Sequence, residues 1–114
     1  MSTSLSNLQW LIQSFEEMSN LQLHDVWKLR QSIFIVEQNC PYMDIDGMDP
    51  MCHHIQGYTG DNLFCYARLI PPTNHIAKIG RVIVSPQYRH LGVGTLLMQQ
   101  GEIWMRQHWT MKEI

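Results

Sequence analysis

The chain has 114 residues, with 8 Lys and Arg against 10 Asp and Glu, and a formal net charge of -2. This length predicts one domain, residues 1–114, that is long enough to bury a hydrophobic core. The small net charge gives no general attraction to nucleic acid or to an anionic membrane, and no apolar run reaches the roughly 18 residues needed to span a bilayer. We therefore expect a soluble globular protein without nucleic-acid or membrane partners.

The first half of the chain predicts a strand, a helix and a loop. Residues 8–15 have the composition of a strand. Ser19 and Gln22 fit a capping box at the start of the helix that follows, and this helix should end before Pro41, which disfavours helix at the residue ahead of it. Residues 41–50 form a loop rich in Asp, Gly and Met. Apolar residues line one face of the predicted helix: Leu23, Val26, Trp27, Ile33 and Phe34.

A β-hairpin and a third strand follow the loop. Residues 53–59 and 63–69 predict paired strands around a turn at 60–62, and the Pro-rich stretch 71–74 closes the hairpin. Residues 79–84 predict a buried strand, because they are mainly β-branched and apolar. The order β, α, β, β, β, α indicates an α+β class with a mixed, mainly antiparallel sheet flanked by helices.

The last strand leads through a glycine-bearing turn into a helix. Pro86 ends the strand, and Arg89, Gly92 and Gly94 follow before the hydrophobic period becomes helical. The apolar face of this helix is predicted from Val93, Leu96, Leu97, Ile103 and Trp104. A helix N-terminus carries unpaired N–H groups and positive potential, and glycines let an anion approach the backbone. The turn therefore predicts a site for a phosphate or pyrophosphate.

Two common phosphate-binding motifs do not fit this turn. A Walker loop needs Lys and Ser or Thr after its last glycine, whereas Thr95 follows Gly94. The dinucleotide fingerprint needs Gly or Ala three residues after Gly94, where Leu97 stands. What remains is Arg-x-x-Gly-x-Gly after a strand that ends in Val-x-Val-x-Pro.

This pattern resembles the acetyl-coenzyme A motif of the GNAT N-acetyltransferase superfamily. Further stretches resemble its ElaA-like branch: residues 29–38, 40–42, 46–49 with His54, 66–69 and 79–82. The resemblance implies the GNAT fold, here lacking its C-terminal strands, and acetyl-CoA as cosubstrate. It assigns coenzyme binding to the strand residues Val82, Ile83 and Val84 and to the loop residues Arg89, His90, Leu91, Gly92, Val93, Gly94 and Thr95. It also implies that the amine attacks the thioester directly in a ternary complex.

Acetyl transfer to an amine also needs a group that removes a proton from the ammonium form. We interpret Glu37, Tyr42 and His54 as the catalytic candidates, and Asp46, Asp49 and Arg68 as the substrate-binding candidates. The acidic loop would attract a cationic amine. The structural alternative is that Glu37 ends a helix, the aspartates are solvated and His54 faces water. Ion pairs to the same acids are the default expectation for Arg30, Arg68 and Arg81.

Two other functions remain open at this point. The chain is then either a non-catalytic acetyl-CoA-binding or interaction module, or a metal-dependent protein that uses Cys52 and His54. A metal is not expected, because His53 and His54 are adjacent on a strand and point to opposite faces, and the Asp spacing fails as a calcium loop.

An odd count of three cysteines and the lack of a signal peptide predict reduced thiols in the cytoplasm. An uncovered sheet edge predicts self-association, such as a homodimer. The amine itself is not identified by the sequence.

Overall fold

A computed structural model describes residues 8–39 and 43–114 of the chain. Its strands are β1 (Leu8–Ser14), β2 (His53–Thr59), β3 (Asn62–Thr73) and β4 (Ile76–Val84). Its helices are α1 (Asn20–Arg30) and α2 (Val93–His108). A π-helical segment (Gln31–Glu37) continues α1, and short 3-10 turns lie at Asp49–Met51 and Pro86–Tyr88.

The four strands form one antiparallel sheet in the order β1-β2-β3-β4. Consecutive side chains of a strand point to opposite faces. On β3, Tyr66 packs in the cluster that contains Val26 of α1, whereas its neighbour Ala67 packs in the cluster that contains Leu97 of α2. The two helices therefore cover opposite faces of the sheet, and the predicted α+β class is confirmed.

The predicted start of α1 is confirmed by its capping box. The Ser19 hydroxyl accepts a hydrogen bond from the Gln22 backbone N–H at 3.1 Å, and the Gln22 side chain accepts one from the Ser19 N–H at 2.9 Å. Two N–H groups that would have no partner in the helix are satisfied in this way. The helical backbone ends at Glu37, ahead of Pro41 as expected.

The predicted end of β3 is wrong, because the strand continues through the two prolines to Thr73. Pairing becomes irregular between Ile70 and Thr73, so the prolines lie where regular ladder hydrogen bonds are interrupted. Asn74 and His75 then both have positive φ, 55° and 65°, as a type I′ hairpin turn requires.

The predicted apolar face of α2 is partly wrong. Val93 and Leu97 are buried as expected, but Leu96 is 36% exposed and Ile103 is 53% exposed. Gly101 instead faces the sheet, where a Cβ would lie 3.2 Å from Leu69. A glycine contact of this kind gives no hydrophobic signal in the sequence. No helix in the two described ranges is both long enough and apolar enough to cross a membrane.

Candidate functional site

The end of β4 departs from regular strand geometry. Gly80 pairs with Arg68 and Ile83 pairs with Tyr66, so Arg81 and Val82 together stand opposite one residue of β3. Arg81 has a φ of 51°, which marks a β-bulge. Val82 is 38% exposed, so the prediction that residues 79–84 form a buried strand is wrong at this position.

Beyond the bulge, alternate backbone groups of β4 face away from the sheet. The Ser85 N–H donates to the Phe64 carbonyl at 2.7 Å, and the alternation of an antiparallel ladder then turns Ile83 toward β3. The N–H and C=O groups of Val82 and Val84 consequently point to the outer edge. In the part of the chain that the structure describes, no strand flanks this edge beyond one bridge at the opposite end of β4. The resemblance assigns Ile83 to coenzyme binding, whereas in the structure its backbone faces β3 and its side chain is buried.

The turn after β4 leads the chain directly to the N-terminus of α2. His90 and Gly92 have φ values of 68° and 77°, and Gly92 is the N-cap residue. A Cβ on Gly92 or Gly94 would meet nothing within 4 Å, so the space in front of both glycines is open. Tyr88 anchors the turn by stacking on Phe64, with ring centroids 4.3 Å apart. The turn thus presents helix N-terminal N–H groups on an uncovered surface, which suits an anion.

Two predicted site residues from distant parts of the sequence meet beside this turn. Arg89 contacts Glu37 through Nη1–Oε1 at 2.7 Å and Nη2–Oε2 at 3.1 Å. Arg89 also donates from Nε to the Val84 carbonyl at 3.0 Å. The guanidinium lowers the pKa of Glu37 below its ordinary value through these hydrogen bonds. Glu37 lies at the end of the helix, and its carboxylate is already engaged.

The remaining predicted acids belong to an arginine–aspartate network beneath the 43–51 loop. Its members are Arg30, Arg68, Arg81, Asp44, Asp46 and Asp49. Three positive and three negative groups balance in charge, so the loop exerts less attraction on a cationic amine than its sequence suggests. The expectation of ion pairs for the three arginines is confirmed.

Short ion pairs hold the network together, and two of its buried atoms, Asp49 Oδ2 and Arg68 Nε, have no hydrogen-bond partner among the described residues. Buried Arg30 contacts Asp44 through Nε–Oδ2 at 3.0 Å and Asp49 through Nη1–Oδ1 at 2.8 Å. Arg68 holds Asp46 through Nη2–Oδ2 at 2.7 Å and Nη1–Oδ1 at 2.9 Å. The hydrogen bonds from Arg68 hold the pKa of Asp46 far below its ordinary value. Asp49 is 2% exposed, so its interpretation as a solvated loop residue is wrong.

Arg81 connects the network to the bulge of β4. Its Nε lies 3.0 Å from Asp44 Oδ1 and its Nη2 lies 3.2 Å from Asp46 Oδ2. The network therefore joins the loop directly to the strand whose outer edge is open.

His54 lies buried on the α1 face of the sheet, and the alternative that it faces water is wrong. Its Nε2 is 3.0 Å from the Asp49 carbonyl, and a carbonyl can only accept, so Nε2 carries the proton. Nδ1 then accepts from the Tyr66 hydroxyl at 2.6 Å. Burial lowers the pKa of His54 and raises that of Tyr66. His54 is thus held neutral, with both ring nitrogens bonded to protein atoms. The sequence analysis missed Tyr66, whose partner is visible only once β2 and β3 are paired.

The other candidates give no metal site in the described residues. Cys52 Sγ donates to the Met48 carbonyl at 3.2 Å, and burial raises the pKa of this thiol. His53 lies on the opposite face from His54, as predicted, with its ring centroid 4.5 Å from that of Trp104. Nowhere in residues 8–39 and 43–114 do three or more His, Cys, Asp or Glu side chains come together as metal ligands. Tyr42 lies outside the described residues.

An antiparallel sheet with a helix on each face is a fold that this chain shares with acyl-CoA N-acyltransferases. Residues 10–114 match the acetyltransferase (GNAT) family, so the chain belongs to that family. Protein ElaA of Escherichia coli is 39% identical over 111 residues, which are 94% of this chain and 72% of ElaA. A UPF0039 protein of Schizosaccharomyces pombe is 38% identical over 97 residues, 84% of this chain and 65% of the yeast protein.

Solved structures show the same relationship. The crystal structure of Escherichia coli ElaA matches with a TM-score of 0.85 and 40% identity, over 90% of this chain and 72% of that one. An acyl-CoA N-acyltransferase from Pseudomonas aeruginosa matches with a TM-score of 0.85 and 32% identity, over 90% of this chain and 73% of that one. Within its family the chain is ElaA-like, and it spans 65% of the yeast relative and 72% of ElaA.

Proposed function

We propose that the chain is an N-acetyltransferase domain that takes acetyl-CoA as donor and transfers its acetyl group to an amine by direct attack in a ternary complex. The observation that carries this proposal is the continuity between two surfaces. The outward backbone of Val82 and Val84 leads through the short Pro86–Tyr88 turn to the open turn of Gly92 and Gly94. Membership of the acetyltransferase family supports the class of donor.

The pantetheine arm of the donor binds along the edge of β4 like an added strand, and its pyrophosphate binds at the turn as an anion. The amides of the pantetheine arm pair with the outward N–H and C=O groups of Val82 and the N–H of Val84. The pyrophosphate lies over residues 89–95, on the N–H groups at the start of α2. Buried Ile83 supports this role indirectly, because it holds the strand on the sheet while its neighbours face outward.

The reaction takes place at the bulge end of β4. With the pyrophosphate over the turn, the arm runs back along the strand and brings the thioester near Val82. The amine nitrogen attacks the carbonyl carbon, the outward N–H of the strand stabilises the oxyanion, and the coenzyme A thiolate leaves. Asp46, Asp49 and Arg68 belong to the neighbouring network and are the proposed substrate-side groups: the exposed Asp46 would meet the amine, while the buried Asp49 and Arg68 hold that carboxylate in place.

The proton released by the amine goes to one of the catalytic candidates. His54 pairs in register with Arg68, which pairs with Gly80 beside the bulge. Glu37 contacts the turn instead, at the other end of the arm. His54 is therefore the candidate that the register places nearer the bulge, and it can accept a proton at Nδ1 only when the Tyr66 hydroxyl gives up that nitrogen. Tyr42 remains a candidate for the acid that protonates the thiolate.

Titration with acetyl-CoA tests the site directly. Gly94→Val adds a side chain where a Cβ meets open space, on a residue whose φ is not positive, and valine is no worse a helix former than glycine. We expect the folded variant to lose at least about tenfold in acetyl-CoA affinity by calorimetry. Met98→Val, at an exposed position one turn further along α2, is the matched control and should bind as the wild type does. Equal affinity in Gly94→Val would remove the turn from the coenzyme site.

A non-catalytic acetyl-CoA-binding module is the second candidate. It is favoured by the observation that both described catalytic candidates, Glu37 and His54, have their polar atoms engaged with protein groups. Such a module binds acetyl-CoA but releases no thiol with any member of a panel of amines. Release of thiol that depends on one amine supports the enzyme.

We also propose the setting in which the protein works. The buried, unpaired thiols of Cys52 and Cys65 support a reducing compartment such as the cytoplasm. The outer edge of β1, which pairs with β2 alone among the described strands, supports self-association, for example a homodimer. Sedimentation equilibrium of the purified chain tests the second point.

A further inference from the structure

The Glu37–Arg89 ion pair is the contact that joins the end of the first helix to the turn before α2. Both carboxylate oxygens of Glu37 receive hydrogen bonds from the two terminal nitrogens of Arg89, at 2.7 Å and 3.1 Å. This fork-to-fork geometry fixes the plane of the guanidinium as well as its position. Glu37 closes a π-helical segment, a local geometry that is frequent at functional sites.

Arg89 is held from a second side by the strand edge. Its Nε donates to the Val84 carbonyl at 3.0 Å, which is the last outward acceptor of β4. Because the Arg89 guanidinium lies against this carbonyl, the Val84 N–H is the group of this residue left open to an extended ligand, which is then directed away from the edge at this point. The N–H groups of Arg89 that are not used by Glu37 and Val84 face away from the carboxylate and stay available for an anion over the turn.

A general-base role suits Glu37 less well than this arrangement. A carboxylate whose pKa lies below its ordinary value is a weaker base for an ammonium proton. The carboxylate also lies at the turn, whereas the thioester in the proposed complex lies toward the bulge near Val82. The charged group that contacts this carboxylate is Arg89.

We propose that Glu37 is a positioning residue for acetyl-CoA, which fixes Arg89 so that its guanidinium covers the Val84 carbonyl and directs its remaining N–H groups at the coenzyme phosphates. This inference rests on the proposed function. Both side chains are more than a third exposed, so the pair contributes little to folding stability and its role lies in the geometry of the turn.

The test compares two acetyl donors in Glu37→Gln. Acetyl-CoA carries the phosphates, and the acetyl thioester of N-acetylcysteamine is a truncated donor that lacks them. We expect Glu37→Gln to raise the KM and Kd for acetyl-CoA about tenfold, with kcat and its pH profile unchanged, and to leave the truncated donor unaffected. Glu102→Gln, which removes a similar exposed carboxylate paired with Arg106 on α2, should match the wild type with both donors.

A double variant tests that the effect passes through Arg89. If Glu37 acts by positioning Arg89, then Glu37→Gln in the background of Arg89→Met costs no further affinity for acetyl-CoA. A lower kcat with both donors and a shifted pH profile would make Glu37 a base. Higher affinity in Glu37→Gln would mean that the carboxylate competes with phosphate for Arg89, and unchanged affinity removes any role; each result overturns the positioning proposal alone. Failure of the folded wild type to bind acetyl-CoA overturns the proposed function together with it.

Discussion

At the scale of single residues, each ring nitrogen of the buried His54 is matched to one protein atom. The Asp49 carbonyl fixes the tautomer of His54, and His54 in turn gives the Tyr66 hydroxyl an acceptor. Because both rings are buried, a mismatch at either atom leaves an unpaired polar group in the interior. His54 is therefore neutral for a structural reason, whatever its part in proton transfer.

This environment predicts a pH dependence of stability. Burial lowers the pKa values of His54 and His53, so between those values and about pH 6.5 the unfolded chain binds more protons than the folded one. Stability should therefore fall as the pH drops from about 7 to about 5.5. Asp49, Arg30 and His53 are the charged or titratable neighbours that act on His54.

Urea unfolding at those two pH values measures the effect. His54→Gln should lose less stability than the wild type over this range, since the substituted side chain does not titrate. His24→Gln, on the exposed side of α1, should keep the wild-type dependence. An identical pH dependence in His54→Gln and wild type would show that His54 does not couple folding to protons.

At the scale of elements, the residues at its two ends decide where α1 begins and which side chain is placed against the turn before α2. Ser19 and Gln22 start the helix, and the π-helical continuation ends with Glu37 against the turn. α2 is placed differently: Val93, Leu97, Gly101 and Met105 face the sheet at a spacing of four residues. Because Gly101 has no side chain, the axis of α2 comes close to Leu69 of β3.

Removal of the helix cap gives a prediction at this scale. Ser19→Ala should lower the free energy of unfolding by about 1 kcal/mol, because the Gln22 N–H loses its acceptor. Ser32→Ala is the control, since the exposed Ser32 hydroxyl donates to the Leu29 carbonyl of its own helix and its loss should cost no more than about 0.5 kcal/mol. Chemical denaturation measures both, and equal losses would contradict the importance of the cap.

At the scale of the whole molecule, the arginine–aspartate network ties four parts of the chain together. Arg30 comes from α1, Arg68 from β3 and Arg81 from the bulge of β4, and their partners come from the 43–51 loop. Because a buried charge without its partner is costly, these parts are expected to lose their packing together.

Arg30→Met tests this coupling. It removes the fully buried cation, takes from Asp49 its shortest ion pair and leaves Asp44 with Arg81, so we expect a loss of about 3–5 kcal/mol or failure to fold. Arg106→Met breaks an exposed pair within α2 and should cost no more than about 0.5 kcal/mol. Chemical denaturation compares the variants, and similar losses for the two would contradict the structural role of the network.

Several features of the site follow from the sequence because they depend on near neighbours. The capping box, the hairpin turn at Gly60 and the succession of strand, proline, glycines and helix all have local signals. Family-like motifs then lead from that succession to the turn proposed to bind the coenzyme. Gly92 and Gly94 can be assigned to the turn from the sequence alone. Glycine readily adopts the positive φ found at Gly92, and its missing side chain leaves the approach at Gly94 open.

Tertiary structure alone decides which of the predicted residues meet. Glu37 and Arg89 are separated by 52 positions, and no periodicity connects them. The bulge at Arg81 and the inward face of Gly101 likewise depend on pairing with β3. Local patterns report on burial and backbone preference, whereas ion pairs, register and the direction of a strand edge depend on contacts between distant segments, whose free energy is gained only when the sheet and both helices come together.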